Sequence, residues 1–305
     1  MWIRVVGVLA VGLCLARCAS IPPAETGNPP ASGLQTRTDL TPTTTPIPEA
    51  SVTSKPDQTI LADGAALRLV PAGIFVMGAL PESGLESCEA SSVGCTLEDF
   101  SDESPQHDVY LDAFWIYETE VTNAQYRLCV EAGACSLPAF LEFYDQELFS
   151  EHPAVYLSWY QASDYCLWAG GRLPTEAEWE KAARGEDRRF FPWGNDLECG
   201  YANVKGCTQG LTADVGAYPE GASPSGVMDL AGNAAEWVAD WYDPAYYEVS
   251  PSENPLGPPE GEMKVARGGS WKNPFSGVRS TNRSANFPEV SSSGVGLRCV
   301  VDALP

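Results

Sequence analysis

The side chains of this chain with the widest chemistry are ten cysteines and two histidines. A cysteine can act as a nucleophile, a metal thiolate or half of a disulfide, and pairing and compartment decide which. Cys14 and Cys18 belong to an apolar N-terminal run, which leaves an even set of eight. Close spacing couples Cys88 with Cys95, Cys129 with Cys135 and Cys199 with Cys207, and each pair would staple a loop. Cys166 and Cys299 then pair by elimination. Of the histidines, His107 lies beside Asp108 ahead of a strand and His152 stands between Glu151 and Pro153. Both histidines read as structural rather than as members of a hydrolytic triad.

The remaining chemistry is concentrated between Arg267 and Cys299. The stretch opens on Arg267-Gly268-Gly269-Ser270-Trp271, a glycine-bearing strand that lets another backbone approach closely. It closes on Gly296-Leu297-Arg298-Cys299. The loop between them is rich in Ser, Asn, Arg and Pro, the composition of a surface that either binds or reacts.

The elements that must position this stretch can be read from local signals. Ala66 to Met77 predicts a strand, a Pro-Gly break and a second strand. Glu82 to Pro105 reads as an acidic surface loop bracketed by Cys88 and Cys95. Val109 to Ile116 alternates as one strand, with Val109, Leu111, Ala113 and Trp115 on a common face. Thr122 with Gln125 forms a capping box that starts a helix ending near Gly133, and Val121 can staple onto Tyr126. Ser158 starts a second helix that buries Cys166 and stops at Gly170-Gly171, and Thr175 with Glu178 starts a third that ends at Gly185. From Phe190 onward the pattern is loop and short strand with scattered aromatics. The expected class is α+β with low regular secondary structure, stapled by disulfides.

Net charge near −23 argues against a nucleic-acid partner, because such a surface repels phosphate backbones. Residues 1–18 read as a signal peptide, with Arg4 followed by an apolar run too short to span a bilayer. Leu15-Ala16-Arg17-Cys18 resembles a bacterial lipobox, with Arg17 where a small residue is usual, so Cys18 is a candidate lipid attachment site. Residues 19–58 are a Pro/Thr/Ser-rich linker, and residues 60–305 form the folded domain. The protein is therefore expected to be exported, either secreted or held at the cell envelope, with a membrane contact only through that lipid.

Five further motifs occur in one order: GGRLPTEAEWEKAARG (170–185), FPWGN (191–195), MDLAGNAAEW (228–237), RGGSW (267–271) and GLRC (296–299). With PAGIFVMG (71–78) and YETEVTNAQY (117–126), they make residues 67–302 resemble the formylglycine-generating enzyme, or sulfatase-modifying factor, family. The resemblance implies the C-type-lectin-like fold variant of that family. It also implies copper-dependent oxidation of a sulfatase cysteine to formylglycine, with the ion held by two cysteines just after RGGSW. Those two positions are Asn273 and Val278 here. Soft Cu(I) asks for thiolates, which neither residue provides, so copper is not expected and no catalytic residue is assigned. The resemblance pairs Cys166 with Cys299 as well, and a second family disulfide is missing both cysteines, one position being Ala183. Other relatives use an iron held by histidines of an additional domain, for which this chain has neither the histidines nor the length.

Calcium does carry over from the resemblance. Asp229 and Glu236 supply carboxylates and Gly232 and Ala234 carbonyls in one implied site, and Asn203 and Val204 match half of a second. Ser270 and Trp271 match residues of the family cleft and Arg267 lies at the strand start beside them; the three either line a peptide groove or support the loop. The expectation is a non-oxidase module that binds a peptide, glycan or protein. The alternative is a divergent formylglycine-generating oxidase.

Overall fold

A computed structural model describes residues 61–90, 94–207 and 210–303. The expected signal peptide, Cys18 and the linker lie outside the described residues. In chain order the strands are β1 (Leu67–Val70), β2 (Gly73–Met77), β3 (His107–Leu111), β4 (Phe114–Tyr117), β5 (Ala235–Trp241), β6 (Lys264–Arg267), β7 (Arg283–Asn286), β8 (Val295–Leu297) and β9 (Val300–Asp302). The helices are α1 (Pro81–Ala90), α2 (Asn123–Glu131), α3 (Trp159–Ala169) and α4 (Glu176–Arg184).

The strands form three small sheets, ordered β1-β4-β9, β2-β3 and β7-β6-β5-β8. β4 lies antiparallel to both neighbours, with Trp115 opposite Leu69 on one side and Val301 on the other. In the four-stranded sheet only β5 and β8 run parallel, bringing Glu236 level with Gly296. Long connections separate these elements, and the architecture is α+β with little regular structure.

The helix starts follow local chemistry. Thr122, Ser158 and Thr175 each accept a bond from the backbone N–H three residues on, and Gln125, Gln161 and Glu178 return it. α3 ends at Gly170 in the left-handed region, which glycine adopts without steric cost. The four disulfides are Cys88–Cys95, Cys129–Cys135, Cys166–Cys299 and Cys199–Cys207. The third crosses the core, with both of its cysteines fully buried.

Two expectations change. Val109–Ile116 is two strands in different sheets. The Asp112 N–H leaves the ladder to donate to the Asn254 side chain, and all four β4 residues are buried, so alternation gives way after Leu111. Residues 82–105 are also more ordered than a loop: α1 and a 3-10 turn over Leu97–Glu103 fold together, with Phe100 packed against Gly84.

The core contains an element that polarity alone would place outside. Every residue of α4 is buried, including Glu176, Glu178, Glu180, Lys181 and Arg184. Glu176 and Glu180 face arginines of the four-stranded sheet, while Glu178 pairs with Arg172 ahead of the helix. Arg267 reaches Glu176 at 3.0 Å and Glu180 at 2.7 Å, and Arg283 donates to both oxygens of Glu176. A buried charge is tolerable only when it is paired and hydrogen-bonded in this way.

Asp240 of β5 caps the start of α4, accepting from the Glu176 N–H at 2.7 Å. Burial, and then the Glu176 carboxylate beside it, pushes Asp240 up to about 8. A carboxyl raised in the folded state favours folding below its unfolded pKa, and that advantage drains away as pH rises through the folded value. Stability should therefore fall between about pH 5 and pH 8, by up to about 1.4 kcal/mol per pH unit from this group. Melting temperatures across that range should slope downward in the wild type and be flatter in Asp240→Asn. Equal slopes would exclude the assignment.

Candidate functional site

Three segments far apart in sequence meet around Gly232. Its N–H donates to the Gly268 carbonyl, and a Cβ at Gly232 would collide with the Asn203 carbonyl and come within 2.9 Å of Val204. Asn233 donates from its backbone to the Asn203 carbonyl, and its own carbonyl accepts from the Trp271 N–H. Gly268 and Gly269 both have positive φ (84° and 61°), and a Cβ on Gly269 would meet the Gly277 carbonyl and Val278. RGGSW, expected as a strand, leaves β6 after Arg267 and turns at its two positive-φ glycines; this segment, the DLAGN loop and Asn203–Val204 are thus fastened by backbone contacts that only glycine permits.

Ser270 and Asn273 form a closed turn beside this junction. The Asn273 amide oxygen accepts from the Ser270 N–H and from its hydroxyl, both at 3.0 Å. An amide oxygen cannot take a proton as a base would, so this contact does not activate the serine as a nucleophile. Val278 is fully buried in an apolar cluster with Phe191, Ala202, Val204 and Ala231. Trp271 is half-buried and donates its indole N–H to the Ser293 carbonyl, while Lys272 beside it bonds the Ser293 hydroxyl at 2.6 Å. Of the two roles open to Arg267, lining the groove or supporting the loop, its position fits the second: it is wholly buried, held by Glu176 and Glu180 and by the carbonyls of Ser280 and Thr281. It supports the loop from beneath.

A second polar centre lies under the DLAGN loop. Glu236 takes two bonds from Arg298, at 2.7 and 2.8 Å, and a third from the Trp179 indole at 2.6 Å. Glu120 accepts from the Asn233 side chain and the Ala234 N–H, and Asp229 accepts from the Gly216 N–H. Burial pushes Glu120 well above the usual carboxylate range, and the nearby Asp229 and Glu236 charges add to it. Burial pushes Asp229 up to about 6. Three carboxylates thus share one guanidinium.

The donor set implied for calcium is brought together only in part. Asp229, Gly232 and Ala234 share the loop, while both oxygens of Glu236 are committed to Arg298 and Trp179. Among the described residues, no group of three or more His, Cys, Asp and Glu side chains is placed to hold a metal ion. Sequence reasoning missed Glu120 and Arg298 as members of this centre. Each lies inside a quoted motif, but its role depends on a partner more than 60 residues away.

Both histidines are held by neighbours. His152 contacts Thr212 at 2.8 Å and Asp214 at 3.4 Å, and burial pushes it below its ordinary value. Thr212 is the buried end of that arrangement and Asp214 the exposed one. His107 meets the Pro105 carbonyl at 3.0 Å and packs edge-on against Tyr247.

Residues 53–303 match the sulfatase-modifying factor enzyme 1-like domain. The chain belongs to the sulfatase-modifying factor family. Within it, the chain is 34% identical over 260 residues to the formylglycine-generating enzyme of Streptomyces coelicolor, covering 66% of this chain and 82% of that one. It is 39% identical over 172 residues to the Bos taurus formylglycine-generating enzyme, covering 51% and 45%. The serine/threonine-protein kinase pkn1 of Chlamydia caviae matches at 35% identity, over 65% of this chain but only 34% of the kinase. Among solved structures, PvdO from Pseudomonas aeruginosa superposes with a TM-score of 0.66 at 26% identity, covering 80% of this chain and 97% of that one. The sulfatase-modifying factor fold and the disulfide-stapled α+β architecture are therefore established together. The disulfides are consistent with an exported protein. No helix among the described residues is long and apolar enough to cross a membrane.

Proposed function

We propose that this member of the family is an exported binding module that holds a peptide or protein segment and does not oxidise it. The observation that carries the reading is the occupancy of positions 273 and 278. One is an amide locked into the Ser270 turn, and the other is a valine packed in an apolar cluster. Neither offers the thiolate that Cu(I) prefers, and the eight cysteines of the described residues are all in disulfides.

The surface beside Trp271 supplies a means of binding. Segments 137–149, 156–160 and 287–293 are joined there by bonds from Ala139 to Tyr156, Tyr156 to Ser292 and Trp159 to Pro288. They leave Phe140, Tyr160, Phe287 and Val290 substantially exposed, a concentration of apolar side chains that marks interaction surfaces. The proposal includes a structural calcium ion near Asp229, supported by the excess of buried carboxylate over guanidinium at that centre. It also includes the N-terminal leader as the export signal, with Cys18 as a lipid anchor.

The second reading, a divergent formylglycine-generating oxidase, is favoured by the 34% identity over most of the Streptomyces coelicolor enzyme. One experiment separates them. The oxidised protein is incubated with a cysteine-containing sulfatase peptide, oxygen and supplied copper, then analysed by mass spectrometry and elemental analysis. The binding-module reading expects an unchanged peptide, bound calcium and copper far below one per chain. Formation of formylglycine would overturn it. Display-selected peptides should also bind at least tenfold more weakly when Phe140 and Phe287 are changed to Ser, and not when the remote Leu256 is.

A further inference from the structure

A cavity of about 190 Å³ opens between α1, the end of α4 and the loop that precedes β7. Its polar lining is Arg184, Arg188, Arg279, Ser83, Gln106 and Thr281, with no carboxylate among the lining residues. Three guanidinium groups around one concavity stand out on a chain of net charge near −23.

The arginines are prepared to different degrees. Arg184 and Arg279 are almost wholly buried and fixed. Arg279 makes a two-pronged contact with Glu103 at 2.6 and 2.7 Å and also donates to the Ser276 carbonyl. Arg184 uses Nε and Nη1 to bond the Arg189, Val76 and Gly78 carbonyls and Glu180, so its Nη2 group makes none of these bonds. Arg188 is exposed and has φ of 62°, a conformation that costs a non-glycine residue free energy. It is held there because the next residue is tied down: Arg189 pairs with Asp187, bonds the Pro192 carbonyl, and accepts from Arg184. Arg188 itself pairs with no carboxylate among the described residues.

The surrounding network does not neutralise the cavity. Arg184, Arg267, Arg279 and Arg283 are linked to Glu103, Glu176 and Glu180. Of the three lining arginines, Arg184 pairs with Glu180 and Arg279 with Glu103, which leaves the Arg188 charge without a carboxylate partner among the described residues. A single water occupies roughly 30 Å³ of liquid volume, so the cavity has room for a small polyatomic anion with part of its hydration. Guanidinium groups bind tetrahedral oxyanions through paired N–H donors, and hydroxyl and amide groups complete such a shell.

We propose that this cavity is a binding site for a tetrahedral oxyanion, phosphate or sulfate, either free or as the terminal group of a monoester. The site is separate from the Ser270 junction and does not depend on the function proposed above.

The test uses the folded, oxidised protein titrated with sodium phosphate or sodium sulfate against sodium chloride at matched ionic strength. Calorimetry and melting temperature are the readouts. The expected result is one saturable site that raises the melting temperature in phosphate or sulfate and not in chloride. Arg188→Asn, chosen because Asn tolerates the left-handed backbone, should weaken binding at least tenfold. Arg188→Lys should recover part of it. Arg68→Asn, which removes an exposed arginine elsewhere, should leave binding unchanged. Competition with phenyl phosphate distinguishes the sources: displacement at equal or lower concentration assigns the site to ester-borne groups, and failure to displace assigns it to the free anion. Absence of saturable binding, or equal binding by the wild type and Arg188→Asn, overturns the proposal.

Discussion

Arg298→Met is expected to cost the domain about 3–5 kcal/mol, enough to leave much of it unfolded at ambient temperature. The side chain is wholly buried, and its Nε and Nη2 groups serve both oxygens of Glu236. The same guanidinium also bonds the Tyr117 and Met228 carbonyls, tying β4 to the loop before β5. Methionine fills similar volume but strands a buried carboxylate beside two others, Glu120 and Asp229, with no cation left among them. The loss therefore reflects an uncompensated charge more than a lost attraction. Removing the charge as well, in Arg298→Met/Glu236→Gln, should recover at least 1 kcal/mol, since the penalty for an orphaned ion disappears. Urea unfolding of the three proteins reads this directly. A cost below about 1 kcal/mol for the single variant, or no recovery in the double, would contradict the account.

The second large effect concerns the core disulfide. Cys166 and Cys299 are separated by 133 residues with Cα atoms 5.5 Å apart. Closing a loop of that length restricts the unfolded chain by about 5 kcal/mol on the chain-entropy scale. The short staples, with separations of 6 to 8 residues, restrict it by only about 2–2.5 kcal/mol each. Cys166→Ala/Cys299→Ala should accordingly be the most destabilising of the four paired removals, and Cys129→Ala/Cys135→Ala clearly milder. Guanidinium unfolding midpoints under oxidising conditions give the ranking. A reversed order would show that native-state packing around the short staples dominates instead.

These two features were legible to different degrees. The disulfide could be read from counting, because four pairs exhaust the eight cysteines outside the leader. The capping boxes of Thr122 with Gln125 and Thr175 with Glu178 were equally readable, since each needs only residues three apart. The buried ion pairs were not. Glu176 and Arg283 lie 107 positions apart, Glu103 and Arg279 176 apart, and nothing near any of them signals a partner. For the same reason the role of Arg267 stayed open between cleft and support: its place in RGGSW was visible and the acidic face of α4 above it was not. The division between β3 and β4 was hidden as well. The side chain that diverts Asp112 belongs to Asn254, on a distant loop.

The topology also bears on the order in which the protein can be completed. β4 is the middle strand of its sheet, and its second neighbour, β9, is the last strand of the domain. Cys166 likewise waits for Cys299, and at synthesis rates of about 5–20 residues per second the 133 residues from Leu167 to Cys299 take roughly 7–27 s to appear. Throughout that interval Cys166 is an unpartnered thiol, while the cysteines of three short staples emerge within a few residues of their mates. Early closure of those local pairs would remove wrong partners from reach, so the small loops would act as chaperones for the one bond that fastens the whole domain.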